Sequence, residues 1–323
     1  MLSVYVPNGS MLERRSLQAG EGPPDDAVWL DLVNPSAGED KMIEQLLGIA
    51  VPTREEMQEI EVSSRLYVEN GARYMTATLM CQSDTPAPKT TAVTFILSGH
   101  RLATVRYDDP RPFAIVEHRL ARACPPKVSG ESVLMDLLDA VIDRSADILE
   151  RIGAEVDQIS HSIFEPEEEV KPPSYNDVLK ALGRKGDLTS KVRESLVSIG
   201  RLLLFLANEA DNMKWPKDTR TQLQSMQRDV GSLSDHATYL TNKITFLLDA
   251  MLGVVNIQQN NIIKIFSVAA VVLMPPTLVA SIYGMNFKHM PELEWIGGYP
   301  FALLLMLLAA ALPYLYFKWR KWL

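Results

Sequence analysis

The chain has 323 residues, 22% of them charged, and a net charge of −8, which argues against a nucleic-acid partner and fits a protein that meets cations. Its mean hydropathy of −0.01, set beside that many charges, requires the apolar residues to be concentrated somewhere, and they gather at the C-terminal end. The length leaves room for an extramembrane domain with its own core plus a membrane hairpin. Cys81 and Cys124 lie far apart without metal-ligand spacing and are expected to be buried free thiols in a reducing compartment. The start, Met1-Leu-Ser-Val-Tyr-Val-Pro7, lacks a basic stretch followed by an apolar one, so no signal peptide is expected.

Residues 1–130 alternate strand and helix signals and are expected to form a cytoplasmic α/β domain. Ser3–Pro7, Ala27–Val33, Arg65–Val68, Tyr74–Cys81, Ala92–Leu97 and Leu102–Arg106 read as strands, with Asn70-Gly71 and Ser98-Gly99 as turns. Pro35-Ser36 leads into a helical pattern through Ile49, and Pro52-Thr53 opens another. No phosphate loop and no nucleophile–base set is present, so no enzymatic role is expected.

From residue 131 to 216 the pattern is helical and antiparallel. One helix runs to about Phe164 and is broken by Glu165-Pro-Glu-Glu-Glu169 and Pro172-Pro173; the next runs from Tyr175 to Met213, before Trp215-Pro216. Residues 217–283 then predict one stalk helix, about 100 Å long at 1.5 Å per residue. Leu223, Met226, Val230, Leu233, Ala237, Leu240, Ile244, Leu247, Met251 and Val254 repeat at three and four, the spacing of a helix packed along its length. On the opposite face lie Asp235, Thr238, Asn242, Thr245 and Asp249, a phase that resumes with Asn256, Asn260, Ile263, Ser267, Ala270, Met274, Thr277 and Ser281. A solvated helix face would explain the soluble part of that stripe, and small residues such as Ser267, Ala270 and Ser281 also let membrane helices approach closely. The unbroken phase favours a pore lined by several copies of this helix.

Ile265–Tyr283 and Pro300–Phe317 carry no formal charge over 19 and 18 residues, close to what a bilayer core of roughly 30 Å requires. Residues 284–299 connect them, and 300–323 comprise the second span and a basic tail. Lys318, Arg320 and Lys321 follow that span, whereas the connection sets Lys288 against Glu292 and Glu294, so both termini are predicted to be cytoplasmic. Trp295, Tyr299, Tyr314, Tyr316, Trp319 and Trp322 read as interfacial anchors.

Tyr283-Gly284-Met285-Asn286-Phe287, Met290-Pro-Glu-Leu-Glu-Trp295, Gly298-Tyr-Pro300 and the tail Tyr314–Leu323, with Asn256-Ile-Gln-Gln-Asn260 upstream, closely resemble the CorA magnesium transporter family. The resemblance is specific over the last 70 or so residues, and Gly284-Met285-Asn286 is its diagnostic core. It implies an α+β membrane protein: an N-terminal cytoplasmic α/β domain, a long helical stalk and two C-terminal transmembrane helices, assembled as a funnel-shaped homopentamer in the inner membrane. Asn286 would form the outer selectivity ring, with Gly284 and Met285 shaping the turn, and would hold Mg²⁺ through its hydration water. Asn260 would form a polar ring near the cytoplasmic end. Ile263, Phe266 and Met274 would be apolar constrictions; Phe266 is one position off the stripe, so either the helix rotates there or Ser267 is the lining residue.

The family's implied partners are the lipid bilayer, divalent cations and further copies of the chain, with no tightly bound cofactor. Mg²⁺ would be both cargo and cytoplasmic regulator, and Co²⁺ and Ni²⁺ are further cargo candidates. Regulatory ligands would be acidic: Asp249 first, because it shares the pore phase, then Asp235 and Glu165–Glu169. Glu292 and Glu294 could concentrate cations outside. A zinc or other transition-metal transporter of the same superfamily and, more remotely, a membrane-anchored coiled-coil scaffold are the alternatives.

Overall fold

The computed structural model describes residues 1–16, 22–123, 128–164, 174–286, 290–291, 294–320 and 322. Glu165–Glu169, Cys124, Lys288, Glu292 and Lys321 therefore lie outside the described residues. Chain contacts divide the molecule into two compact units, Met1–Leu247 and Leu248–Leu323, and the division falls within one long helix.

The first unit is built on a mixed seven-stranded sheet of order β2-β1-β3-β7-β6-β5-β4. Its strands are β1 (Leu2–Asn8), β2 (Met11–Ser16), β3 (Trp29–Val33), β4 (Leu66–Glu69), β5 (Ala72–Cys81), β6 (Lys89–Ser98) and β7 (Arg101–Arg106). Only β3 and β7 pair in parallel; the other neighbours are antiparallel. Asn70 and Gly71 both take positive φ, 50° and 80°, the left-handed pair that a two-residue hairpin demands and that Asn-Gly supplies with least strain.

The edge strand β2 is absent from the sequence expectations. Met-Leu-Glu-Arg-Arg-Ser buries only Leu12 among its described side chains, at 3% exposed, and charges on an outer strand block sheet-to-sheet association but mask the apolar alternation. Gly9 (φ 64°) opens its turn. The helix expected after Pro52 is only one turn, α2 (Arg54–Met57), capped reciprocally by Thr53 and Glu56. A second short turn, α3 (Val62–Arg65), precedes β4. Neither α3 nor α4 (Arg111–Leu120) is marked by a long enough periodic run to be predicted.

Helix α1 (Ala37–Leu47) brings Ile43 and α2 brings Met57 onto one sheet face, against Leu30, Leu32, Tyr74 and Val105. The opposite face carries an ionic core. Asp31, 2% exposed, accepts from Arg106 Nη2 at 2.9 Å and from Thr104 Oγ1 at 2.6 Å, and the Arg106 guanidinium lies over the Phe113 ring of α4 at 4.6 Å. With both charges desolvated, attraction and hydrogen bonds must offset burial, so the pair is costly to break from one side.

Two 35-residue helices, α5 (Gly130–Phe164) and α6 (Tyr175–Glu209), complete the unit with the first part of α7 (Lys217–Tyr283). Helix α6 ends earlier than the expected Met213: Lys214 is left-handed (φ 52°), and Pro216 disfavours the helical region for Trp215. Beyond its pairing with β4, β5 would present an open edge; Ser198 of α6 accepts the Thr78 amide there at 2.9 Å.

The heptad stripe of α7 is the buried one, with Leu223, Met226, Val230, Ala237, Leu240, Ile244, Leu247 and Met251 each at most 4% exposed and Leu233 and Val254 half-buried. Three glycines admit this close packing. Leu240 lies over Gly153 of α5, Ile244 over Gly186 and Val230 over Gly200 of α6, where an added β-carbon would come within 3.8, 3.8 and 3.4 Å of them. The order of these contacts makes α6 antiparallel to α7 and α5 parallel to it. Lys243 pairs with Asp157, and Phe246 stacks on Phe164 at 6.3 Å, in the same parallel register.

The second unit comprises the end of α7 and α8 (Gly298–Trp319), the two helices long and apolar enough to cross a membrane. Apart from Met251, Val268 and Ala302, its described apolar side chains are half-buried or exposed. That pattern suits helices whose solvent is hydrocarbon or another copy of themselves.

Candidate pore lining and selectivity motif

The candidate lining residues share one helix, so their geometry begins with the helical period. Asn256, Asn260, Ser267, Ala270, Thr277 and Ser281 are all exposed on α7, as are Ile263, Phe266 and Met274, at 62, 71 and 68%. Both Phe266 and Ser267 are exposed, so neither is withdrawn into a contact within the chain. In the first unit, Asp235, Asn242 and Thr245 are exposed while the opposite stripe is buried. Asp249, at the start of the second unit, is exposed as well.

Within the span, Pro275 and Pro276 remain helical. Neither can donate an amide proton, so the carbonyls of Val271 and Val272, four residues earlier, lose their usual partners. Thr277 Oγ1 donates to the Leu273 carbonyl at 2.7 Å, which occupies its hydroxyl within the helix. The two freed carbonyls were not singled out from the sequence, which predicted the helix to run through the proline pair. The signal was present: two adjacent missing donors in an uncharged run.

Gly284 terminates α7. Its amide donates to the Ala280 carbonyl at 2.9 Å and Met285's to the Ile282 carbonyl at 3.2 Å. A β-carbon on residue 284 would stand 3.1 Å from the Ala280 oxygen, so any larger residue presses on the very carbonyl that closes the helix. The chain then leaves the helical path, and Asn286 is non-helical and exposed, with no hydrogen bond among the described residues. A carboxamide so placed keeps its oxygen available to accept from water around a cation. Met285 is 47% exposed.

Of the acidic outer-loop candidates, Glu294 is exposed and Glu292 is outside the described residues. Among the described residues no three His, Cys, Asp or Glu side chains converge as metal ligands. Asp235 and Asp249 stand on different turns of α7, and neither forms an ion pair among the described residues. The strongest charge cluster lies elsewhere. Asp84 meets Arg144 at 2.6 Å, Arg111 at 2.9 Å and also Arg151. The hydrogen bond from Arg151, with Arg144 beside it, holds the Asp84 carboxyl down at about 2. It ties the β5–β6 connection to α4 and α5, which is a structural role.

At the end of α8, Tyr316, Trp319, Phe317 and Trp322 form a chain of ring contacts, with Arg320 over the Tyr316 ring at 6.0 Å. Aromatic rings beside basic groups suit the boundary between hydrocarbon and water.

A family model described as "CorA-like Mg2+ transporter protein" matches residues 24–319. The "Magnesium transport protein CorA" of Haemophilus ducreyi (strain 35000HP / ATCC 700724) is 36% identical over 312 residues, covering 96% of this chain and 97% of its own length. That of Escherichia coli (strain K12), of the same name, is 35% identical over 323 residues, with 100% of both chains covered. The complete structure of the CorA magnesium transporter from Methanocaldococcus jannaschii superposes with a TM-score of 0.78 over 100% of this chain and 99% of that one, at 17% identity, and establishes likeness of fold.

Proposed function

The chain belongs to the CorA-like Mg²⁺ transporter family, and from that premise we propose that it is a Mg²⁺ uptake channel of the inner membrane, assembled as a funnel-shaped homopentamer with both termini cytoplasmic. The observation that carries the reading is one helix with two opposed faces: a buried heptad stripe, and an exposed polar phase that ends beside an unbonded Asn286. Two spanning helices cannot enclose a channel, so the polar phase needs further copies around an axis.

Mg²⁺ surrenders water reluctantly. The oxygens of a ring of Asn286 carboxamides would accept hydrogen bonds from the water shell and select by the size of the hydrated ion. Asn260 would supply a second polar ring, with Asn256, Ser267, Ala270, Thr277 and Ser281 along the path and Ile263, Phe266 and Met274 as apolar constrictions. The uncharged span suits conduction, since a carboxylate ring would hold a divalent ion too tightly for release. The membrane potential supplies about 2.3 kcal/mol per elementary charge per 100 mV, twice that for a divalent ion. Regulation by cytoplasmic Mg²⁺ would need carboxylates shared between copies, Asp249 and Asp235 being the candidates because both are exposed and unpaired. Glu294 would raise the local cation concentration at the outer mouth.

Divalent-cation flux into liposomes tests the reading, with Mg²⁺, Co²⁺, Ni²⁺ and Zn²⁺ compared for the native chain and Asn286→Ala. Native flux of Mg²⁺, with Co²⁺ and Ni²⁺ also carried, is expected. The alanine variant should lose at least about tenfold, the equivalent of one hydrogen bond to a charged shell. Equal Mg²⁺ flux in the variant would overturn the selectivity ring, and Zn²⁺ uptake without Mg²⁺ would assign the chain to the zinc-transporting relatives.

A further inference from the structure

A cleft in the first unit concentrates positive charge in a protein whose net charge is −8. Its volume is about 350 Å³, and Arg54, Arg65 and Lys89 line it together with Tyr107. An adjoining recess shares Arg65 and adds Arg193 and Arg201 of α6. Against these five cations stand two carboxylates, Asp108 and Glu194. Asp108 is already committed to Lys89 at 2.6 Å. Arg54, Arg65, Arg193 and Arg201 form no ion pair among the described residues, an arrangement that costs mutual repulsion unless an anion completes it.

The guanidiniums are held rather than loose. Arg65 donates to the Glu59 carbonyl and to Thr78 Oγ1 at 3.1 Å, leaving Nη2 free, and the Arg54 guanidinium lies over the Tyr107 ring at 5.2 Å. Burial, reinforced by the nearby charge of Arg201, pushes the Arg65 guanidinium below its ordinary value despite Glu194; an incoming anion would offset the repulsion between the two guanidiniums. The recess also offers apolar surface, with Ile60 and Val197 at 87 and 42% exposed.

We propose that this cleft binds a phosphate-bearing small anion, with the nucleoside polyphosphates as the class that uses all of its walls. Phosphate oxygens face Arg65, Arg54 and Arg201, which present planar donors suited to them, and a base rests on Ile60 and Val197. The anion joins α2 and α3 to α6, and so fixes the helix that covers the open edge of β5. This inference does not depend on transport, and its readout is binding.

Calorimetric titration of the detergent-solubilised full-length chain with ATP and with inorganic triphosphate, both metal-free and in about 150 mM salt to screen weak surface attraction, tests it. Saturable binding is expected, weakened about tenfold or more by Arg65→Gln and by Arg201→Gln. Tighter binding of ATP assigns the recess to a nucleoside, whereas equal binding of triphosphate assigns the site to phosphate alone; either supports the anion site. Because Arg201 makes no hydrogen bond or ion pair among the described residues, its variant decides the matter even if Arg65→Gln disturbs α3. Unchanged affinity in Arg201→Gln, or no saturable binding of either compound at millimolar concentration, would overturn the proposal.

Discussion

The two compact units of this chain treat the same kinds of residue in opposite ways. In Met1–Leu247, the leucines, isoleucines and valines of the sheet core and the helical seam fall to a few per cent exposed; in Leu248–Leu323, Leu273, Leu307 and Leu312 stand 63 to 66% exposed. The difference teaches where each unit finds its driving force. Burial from water stabilises the first at about 25 cal/mol per Å², whereas helices in hydrocarbon gain nothing from hiding leucine and associate through close packing and polar contacts. The polar stripe of α7 is thus informative in the second unit for the same reason that it is bland in the first.

The largest expected effect would come from the ionic core of the first unit. Asp31→Ala leaves the Arg106 guanidinium buried beside Phe113 with one carboxylate partner, Asp109, which is itself 75% exposed. Thermal or denaturant unfolding of the purified chain should register a loss of about 3–5 kcal/mol, and a loss below about 1 kcal/mol would show that water reaches the pair. Next comes a matched pair of truncations that addresses the contrast directly. Leu240→Ala, at 1% exposed over Gly153, should cost about 2–4 kcal/mol, while Leu307→Ala, 66% exposed, should stay within about 0.5 kcal/mol. Equal costs would break the comparison, because Leu307 would then be packed as tightly as a soluble core.

The smallest effect concerns Asp84. Its folded carboxyl sits at about 2, below an unfolded value of about 3.9, so its contribution is present above pH 4 or so and lost as pH falls towards about 2. Asp84 is 43% exposed, and screening discounts the interaction to about 1 kcal/mol. Asp84→Asn should therefore be less stable than the native chain at pH 7 by about that amount, with the gap closing in acid and in high salt. A gap that persists at pH 2 would mean that packing of the β5–β6 connection, rather than charge, is what Asp84 supplies.

Much of the helical architecture was legible because its signals are local. The 67-residue α7 announces itself by a stripe at three and four, the spans by uncharged length, and the hairpin at Asn70-Gly71 by a residue pair that takes two positive φ angles cheaply. Strand β2 was illegible because an edge strand's charges conceal its single buried leucine. The lone turns α2 and α3 were misjudged or missed because four residues cannot display a period. The candidate pore residues were nominated by one helix's phase and one short motif, and both are local too.

By itself, then, the sequence determined which face of α7 is apolar, which segments can enter a bilayer, and where Gly284 must end the helix, since each depends on neighbours within a few positions. Only the tertiary structure decided that Arg106 answers Asp31, that Ser198 covers the open edge of β5, and that Arg65 joins the cleft of Arg54 to the recess of Arg201. Those partners are 75, 120 and up to 147 residues apart. No periodic signal links them, because what brings them together is the folded sheet and the helices packed across it.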